Sequence, residues 1–408
     1  MTADGYRGLM TSTPRAIVIG GGIAGPALSL FLHRGGIAPQ IFEAYPQPAT
    51  IGGAFNIAPN GMRVMAALGL AGRVAAAGAP SSAFAFRNHH GRTIGRIDLR
   101  RSGTGVTIRR AAFHRILLDA LERHDLRVAY GKRLAAIDEA GAEVVAHFED
   151  GTTAHGDMLL AADGVSSRVR AVILPAHARP RYTGMLGVGG FAAGPQPSID
   201  PDDACQINFM MGPRLQFGYA SLSARAPRWG WWCHLPQEPE LPRHELQAIA
   251  DDDLRSRVLG AFEGWHPSVT SLVSATAEIM RTAIHDVPAL PTWHVGRVLL
   301  LGDAAHAMSP AGGQGASLAL EDAMVAGERL VHASAPVERA FADIEAALRP
   351  RAERIVAQAR DNDLRQLKQL GPVGCWIRDR LFPLFAPIVG HQIERQYAAV
   401  AGATAASG

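Results

Sequence analysis

Two stretches of the sequence combine an acidic residue with closely spaced glycines. In IVIGGGIAGPALSLFL, Gly20, Gly22 and Gly25 form the pattern G-x-G-x-x-G between an apolar run and a helical pattern. In RVLLLGDAAHAMSPAGGQGASLALEDA, Asp303 and a loop of small residues again follow an apolar run. Because small residues let the backbone approach a ligand closely, both stretches are typical of cofactor sites.

The first stretch predicts a dinucleotide site. Its first glycine permits a tight turn, its second lets the backbone approach a pyrophosphate, and its third lets helix and strand pack closely. Glu43 ends the next predicted strand, 18 residues after Gly25, where an acid can accept hydrogen bonds from the ribose hydroxyls of an adenosine. The predicted site comprises Gly20, Gly22, Ala24, Gly25 and Glu43. This pattern alone does not separate NAD from FAD.

The second stretch favours FAD. Asp303 follows its predicted strand at the carboxyl end, where open α/β sheets bind ligands, and a carboxylate there can accept hydrogen bonds from a polyol chain. The loop around Gly313 and Gly315 has few side chains to obstruct a flat ring, and the N–H groups that open the next helix can face the edge of that ring. Two remote anchors fit FAD better than NAD. A metal at His306 is not expected, because no second ligand stands at helical spacing.

The apolar periodicity predicts an α/β fold. AIVIG, a helix and QIFEA form an opening β-α-β unit, and INFMMGPRLQFGYASL and RWGWWCHLP read as strands of a different, antiparallel kind. We therefore expect a Rossmann-like FAD-binding domain, an inserted antiparallel-sheet substrate domain and a helical C-terminal segment. The predicted domains are residues 1–77, 98–178 and 280–345 for FAD, residues 78–97 and 179–279 for the substrate, and residues 346–408 for the C-terminal helices.

Composition narrows the class of protein. The chain has 408 residues, 48% of them hydrophobic, and a net charge of +3, with no basic stripe of the kind that attracts nucleic acid. Three separated cysteines predict neither a disulfide framework nor a dithiol centre and favour a cytoplasmic protein. No apolar run reaches the ~18 residues of a membrane span. The expected partner is a small molecule, and the chain is expected to be a monomer or a dimer.

Three motifs, in this order, resemble the FAD-dependent monooxygenases of the para-hydroxybenzoate hydroxylase class, the group A flavoprotein monooxygenases. They are the G-x-G-x-x-G stretch with Glu43, MLLAADGVSSRVR around Asp163 and Gly164, and LGDAAHAMSPAGGQGASLALEDA around Asp303. The resemblance implies bound FAD, NADH or NADPH as a transient electron donor, and O₂. It implies that a flavin hydroperoxide hydroxylates an aromatic or polycyclic small molecule.

The resemblance also implies roles for particular residues. Asp163 and Gly164 would support the pyrophosphate region, and Arg110 at a helix start would contact FAD. The residues that match the loop beside the isoalloxazine ring, with the start of the following helix, are Pro310, Gly313, Gly315 and Ala316. The resemblance assigns no catalytic acid or base, so that residue stays unknown.

Several alternatives stay open. Trp229, Trp231 and Trp232 partly match a motif of flavin-dependent halogenases, which gives a halogenase or another oxidase on the same fold as one rival and a non-catalytic FAD-binding relative as a second. Phe217 and Tyr219 alternate on one face of a predicted strand, which either lines the substrate cavity or packs on a helix.

Pro310 is a further residue expected to contact the substrate. The apolar tail DRLFPLFAPIVGHQIERQY is expected to cap the cavity, with a membrane-surface helix as the alternative.

Overall fold

The computed structural model describes residues 13–48, 52–196, 198–225 and 228–398, so both ends of the predicted domain assignment lie outside the described residues. The strands are β1 (Arg15–Ile19), β2 (Ala38–Phe42), β3 (Ala54–Ile57), β4 (Ala79–Ser81), β5 (Ala83–Asn88), β6 (Thr93–Asp98), β7 (Gly105–Arg109), β8 (Val128–Ala129), β9 (Leu134–Ala140), β10 (Glu143–Phe148), β11 (Thr153–Gly156), β12 (Met158–Ala161), β13 (Arg181–Ala192), β14 (Ile207–Met211), β15 (Gln216–Ser221), β16 (Trp229–Pro236), β17 (Thr276–Asp286), β18 (His294–Val295) and β19 (Val298–Leu300).

The helices lie between these strands and after the last of them. They are α1 (Ala24–Arg34), α2 (Pro59–Ala67), α3 (Ala71–Ala77), α4 (Arg110–Glu122), α5 (Arg168–Ile173), α6 (Arg243–Ala248), α7 (Asp251–Ala261), α8 (Pro267–Ser274), α9 (Asp303–His306), α10 (Gly315–Val331), α11 (Val337–Leu367) and α12 (Pro372–Tyr397). Among the described residues, no helix is both long and apolar enough to cross a membrane.

The FAD-binding part is built on a six-stranded sheet in the order β18-β19-β12-β1-β2-β8. Its strands are parallel except for the β18–β19 pair. The central strands β1, β12 and β19 are almost entirely apolar and buried, because helices cover both faces of a parallel sheet. Helices α1 and α10 approach closely where Gly327 meets Phe31, since a Cβ at residue 327 would lie 2.5 Å from the Phe31 Cβ. The prediction of a Rossmann-like α/β fold is confirmed.

The inserted part is a seven-stranded sheet in the order β17-β13-β16-β15-β14-β5-β6. Two separate stretches supply it, residues 83–98 and 181–286. All neighbouring strands are antiparallel except β14 and β5. The predicted boundary between residues 279 and 280 cuts through β17, which pairs with β13 as far as Asp286. The insert therefore extends about seven residues further than its sequence pattern indicated.

Helices α7 and α8 cover one face of the inserted sheet. Their apolar side chains form a buried cluster with alternate residues of β15 and β16. Helix α12 packs on the opposite face at the β5–β6 edge, where the Phe382 ring lies 4.8 Å from the Phe86 ring. The sheet is thus enclosed by helices on one side and partly by α12 and the FAD-binding part on the other.

Candidate FAD site

Four neighbouring strands end at one edge of the parallel sheet. Backbone hydrogen bonds there join Leu301 N to Ala161 O (2.8 Å), Ala162 N to Ile19 O (2.7 Å) and Gly20 N to Phe42 O (2.8 Å). The predicted segments that follow these strands therefore lie in one row, with Asp303, Asp163, the glycine turn and Glu43 in the order β19, β12, β1, β2. Three strand spacings make this row about 14 Å wide at the backbone. A row of this width suits an extended ligand.

The three glycines of the first motif have distinct structural reasons. Gly20 has φ of +114°, and a Cβ there would lie 2.2 Å from Ala162 O. At Gly25, at the start of α1, a Cβ would lie 1.9 Å from Gly20 O. At Gly22 a Cβ would meet nothing within 4 Å. Gly20 and Gly25 are thus required by packing, whereas Gly22 leaves open space in front of the N-terminus of α1, where a phosphate can approach.

Glu43 is held against the glycine turn. Its Oε2 accepts a 2.8 Å hydrogen bond from Gly21 N, and its Oε1 accepts a 2.9 Å bond from Tyr45 N. His114 of α4 supports the same turn, with Nε2 lying 2.6 Å from Gly21 O. Burial lowers the pKa of His114, so the ring is neutral at pH 7 and donates this bond. The role of His114 could not be predicted from the sequence, because no local pattern links α4 to the turn.

Asp163 organises the turn after β12. Its Oδ2 accepts hydrogen bonds from Arg168 N (2.8 Å) and Val169 N (3.1 Å), which caps α5, while its Oδ1 is buried with no hydrogen-bond partner in the described part of the chain. Burial raises the pKa of Asp163, and these N–H donors oppose that rise. Gly164 has φ of +83° and open space where a Cβ would lie. Buried Arg170 donates to Ala304 O at 2.8 Å and so ties this turn to α9, a role the sequence did not indicate.

The turn after β19 is braced by Asp322 of α10. Asp322 Oδ2 accepts a 2.8 Å hydrogen bond from Gly302 N and lies 2.6 Å from His306 Nε2. Burial alone would lower the pKa of His306, but the Asp322 carboxylate outweighs it and raises that pKa. His306 thus makes a buried ion pair beneath the site. Among the described residues, no three His, Cys, Asp or Glu side chains cluster as metal ligands.

We call the space beside the row of strand ends, from Asp303 to Glu43, the FAD groove, and Asp303 lies at its β19 end. Its side chain is exposed, and no described residue donates a hydrogen bond to its carboxylate. Arg110, at the start of α4, is near enough to exert an electrostatic effect on it. The neighbouring Arg109 stacks its guanidinium on Phe191 of β13, 4.0 Å from the ring centre, and so bridges the two parts of the chain. A free carboxylate at the end of a groove is a suitable acceptor for ligand hydroxyls.

The loop before α10 forms a low wall beside the groove. Ser309 Oγ accepts a hydrogen bond from Ala311 N (3.3 Å), which starts a single 3₁₀ turn over Pro310–Gly312. Gly313 then adopts φ of +60°, with nothing near the position of a Cβ. Because Gly313 carries no side chain, the N-terminus of α10 at Gly315 and Ala316 stays open to a ligand.

Two residues expected to contact the substrate lie elsewhere, which corrects that prediction. Phe217 stacks on Trp231 at 5.5 Å and meets Phe262 of the segment after α7 edge-on. Tyr219 is buried and donates a 2.8 Å hydrogen bond to Asp203 Oδ2. Phe217 and Tyr219 do share one face of β15. That face packs on the apolar side chains of α7 and α8, which bury it.

The opposite face of the inserted sheet is the one that approaches the FAD-binding part. On β16 this face carries Gly230, Trp232 and His234, since alternate residues of a strand share a face. A Cβ at Gly230 would lie 3.6 Å from Ala54 Cβ of β3. His234 is half-buried and has no hydrogen-bond partner among the described residues. Burial lowers the pKa of His234 to about 4, so its imidazole is neutral at pH 7.

Comparison with known proteins agrees with this geometry. The profile of the family described as "FAD binding domain" matches residues 13–359. The 6-hydroxynicotinate 3-monooxygenase of Pseudomonas fluorescens is 30% identical over 365 residues, which cover 86% of this chain and 92% of that protein. The FAD-dependent urate hydroxylase of Klebsiella pneumoniae subsp. pneumoniae is 31% identical over 363 residues, covering 87% and 89%.

A solved structure extends the likeness to the whole fold. The crystal structure of Klebsiella pneumoniae HpxO complexed with FAD and uric acid superposes with a TM-score of 0.84 at 27% identity, and the match covers 95% of this chain and 97% of that one. The halogenase alternative gains no support from these relatives. The family profile and the relatives together show that the chain belongs to the FAD-dependent aromatic hydroxylase family, and FAD is its cofactor.

Proposed function

We propose that this chain hydroxylates an aromatic or polycyclic small molecule, with FAD held across the sheet edge, NADH or NADPH as a transient electron donor, and O₂ as co-substrate. The observation that carries the proposal is the row from Asp303 to Glu43, which offers a free carboxylate, an open helix N-terminus and a second acid in the order a long dinucleotide requires. When bound, FAD supplies the redox centre that accepts electrons from the donor and activates oxygen.

At the adenosine end, Glu43 would accept hydrogen bonds from the ribose hydroxyls. The hydrogen bond from Gly21 N holds the Glu43 carboxylate in place. Gly20, Gly22, Ala24 and Gly25 present the N-terminus of α1 to the pyrophosphate, where its N–H groups and dipole stabilise negative charge.

In the middle of the row, Asp163 and Gly164 shape the turn beside the pyrophosphate. Asp303 would accept hydrogen bonds from the ribityl hydroxyls, and Arg110 adds a positive charge near that carboxylate.

At the ring end, the chain leaves room for a flat group. Pro310, Gly313, Gly315 and Ala316 would hold the isoalloxazine ring, with the N–H groups at the N-terminus of α10 available to it. A helix N-terminus stabilises negative charge at that edge, which favours the reduced cofactor. Pro310 is exposed at the groove and borders the side from which a substrate would approach.

The substrate would lie between this loop and the part of the second face of the inserted sheet that α12 does not cover. That face is lined by backbone glycines and by the Trp232 ring, which crosses Gly218 so closely that a Cβ there would lie 2.2 Å from the indole Cε2. A flat, smooth surface of this kind suits an aromatic ring, and the unpartnered His234 offers one polar contact to it. The named substrates of the relatives, hydroxynicotinate and urate, are also small cyclic compounds.

The electron donor and the setting of the protein remain predictions. NADH or NADPH is proposed because such a donor is typical of the family, and its binding is proposed to be transient because the sequence shows no second G-x-G-x-x-G. A cytoplasmic location, a monomeric or dimeric state and the lack of a nucleic-acid partner rest on composition. The predicted domain roles follow the same reasoning, with residues 83–98 and 181–286 supplying the substrate side.

The proposal is tested by reconstituting the purified protein with FAD. Under anaerobic conditions, NADH or NADPH should bleach the visible flavin absorbance, faster in the presence of a binding phenol, hydroxypyridine or quinolone. On admitting ¹⁸O₂, mass spectrometry should find one labelled oxygen in the product. Failure to take up FAD would overturn the whole assignment. If the protein takes up FAD but neither NADH nor NADPH bleaches it, the alternative of a non-catalytic FAD-binding relative would be favoured.

A further inference from the structure

The outer side of α12 carries a continuous row of exposed apolar side chains. Of the twelve large hydrophobic residues that are exposed in the described part of the chain, eight lie between residues 370 and 388. Those within α12 are 42–70% exposed and recur at helical spacing. This outer stripe consists of Val373, Trp376, Ile377, Leu381, Leu384, Phe385 and Ile388. Over the 15 steps from Val373 to Ile388 it extends about 22 Å.

The inner side of α12 is already engaged. Phe382 and Ala386 pack on β6, where a Cβ at Gly95 would lie 2.6 Å from the Phe382 ring. Arg378 donates to Gly212 O at 2.7 Å, and Asn88 donates to Asp379 Oδ2 at 3.0 Å. The helix is therefore anchored in a fixed orientation, and the outer stripe points away from the body of the protein.

The charges beside the outer stripe are positive. Arg380 and Arg395 are exposed and form no ion pair with any described residue, and the Arg380 guanidinium lies 5.2 Å from the centre of the Trp376 ring. Of the two acids in α12, Asp379 is paired with Arg378 at 2.7 Å, and Glu394 is half-buried near His391. A partner for this surface must accept apolar side chains and supply negative charge.

A second copy of the chain would accept apolar side chains but would not supply negative charge. If two outer stripes packed antiparallel about a two-fold axis, Arg380, which lies at mid-stripe, would face its own counterpart. The apposition of like charges disfavours that arrangement. An anionic lipid surface meets both requirements, because the stripe enters the acyl boundary while the arginines contact headgroups.

We propose that the outer stripe of α12 and its flanking arginines attach the protein to an anionic phospholipid bilayer, on which the helix lies without crossing it. Trp376 and Phe385 are the aromatic anchors at the headgroup level, and Leu384 and Ile388 enter most deeply. The attachment leaves the FAD groove free, because the surface is on the side of α12 opposite to the inserted sheet.

The test is co-sedimentation of the FAD-loaded full-length protein with vesicles. Binding is expected to vesicles of phosphatidylcholine mixed with phosphatidylglycerol, to fall with added salt, and to be much weaker with phosphatidylcholine alone. Leu384→Asp combined with Ile388→Asp should lower the partition coefficient about ten-fold or more, and Arg380→Glu should lower it less. Val172→Asp and Val295→Asp, at exposed apolar positions elsewhere, should bind as the parent does.

Bound FAD and far-UV circular dichroism establish that each variant is folded. The proposal is overturned if the parent protein binds neither kind of vesicle, or binds both kinds equally. It is also overturned if sedimentation velocity shows a concentration-dependent dimer that Leu384→Asp dissociates while vesicles leave the parent unbound, since the partner would then be a second copy.

Discussion

The Ser309 hydroxyl donates a 2.9 Å hydrogen bond to Asp363 Oδ1, and this bond joins the loop beside the FAD groove to helix α11. Asp363 is 3% exposed, and no described residue forms a hydrogen bond with its second carboxylate oxygen. Burial raises the pKa of Asp363, with Arg360 and Asp286 as its charged neighbours. Asp363 lies four residues beyond the segment 13–359 that the family profile matches.

Asp363→Ala is expected to weaken FAD binding by about three- to ten-fold, because the loss of one hydrogen bond to a buried acid loosens the loop. Asp363→Asn retains a hydrogen-bond acceptor for Ser309, so this variant should bind FAD more tightly than the alanine variant. Asp361→Ala, at an exposed position of the same helix, is the control. Titration of apoprotein with FAD measures all three. If Asp363→Ala and Asp361→Ala had equal affinity for FAD, the hydrogen bond between Ser309 and Asp363 would have no role in FAD binding.

Asp303→Ala should lose FAD affinity far more than stability. The carboxylate has no partner among the described residues, so its removal breaks no internal bond, whereas each charge-assisted hydrogen bond to the cofactor contributes about 1.5–3 kcal/mol. We expect the Kd for FAD to rise about 10- to 100-fold, while the Tm of the apoprotein stays within a few degrees. Asp202→Ala, at another exposed aspartate, should change neither. Normal FAD retention in Asp303→Ala would refute the assigned role.

Two glycines of the first motif should respond to alanine in opposite ways. Gly25→Ala brings a methyl group to 1.9 Å from Gly20 O and should destabilise the apoprotein by about 1–3 kcal/mol. Gly22→Ala meets no protein atom within 4 Å, so it should leave the apoprotein stable but obstruct the pyrophosphate. Urea unfolding and FAD titration of both variants separate the effects. A stable Gly22→Ala protein with unchanged FAD affinity would place the phosphates elsewhere.

The buried pair of His306 and Asp322 predicts a pH dependence of stability. The folded state holds the His306 proton more tightly than the unfolded state, so the pair stabilises fully below the unfolded pKa of about 6.5. As the pH rises through the raised folded pKa this contribution disappears, with a slope of at most about 1.4 kcal/mol per pH unit. His306→Gln should remove that slope from urea unfolding curves of the apoprotein. An identical slope in parent and variant would contradict the pair's protonation.

His234→Phe should raise the KM for an aromatic substrate about ten-fold and leave FAD affinity unchanged. The phenyl group fills the same space but offers no hydrogen bond, and the neutral His234 ring has no protein partner to lose. The readout is donor oxidation against the concentration of a compound that stimulates it. His244→Phe, at an exposed position of the inserted part, serves as the control. An unaltered KM would remove His234 from the substrate surface.

The glycine motifs could be predicted from the sequence because local backbone geometry alone requires them. A turn that brings a helix N-terminus onto a strand end needs small residues at fixed spacing, so Gly20, Gly22 and Gly25 indicated a phosphate site without any knowledge of the rest. Asp303 could be predicted for the same reason, since it follows directly from its strand. The supports of these motifs could not be predicted, because His114, Arg170 and Asp363 reach them from distant parts of the chain.

The sequence was sufficient to predict FAD as the cofactor, a Rossmann-like α/β fold and acids at two strand ends. It could not predict which face of the inserted sheet is covered by α7 and α8, because that depends on tertiary packing. A period of two shows that Phe217 and Tyr219 share a face, but whether helices or a ligand cover that face depends on the position of α7 and α8. The same holds for α12, whose apolar residues all resemble core residues in sequence until packing buries Phe382 and leaves Leu384 exposed.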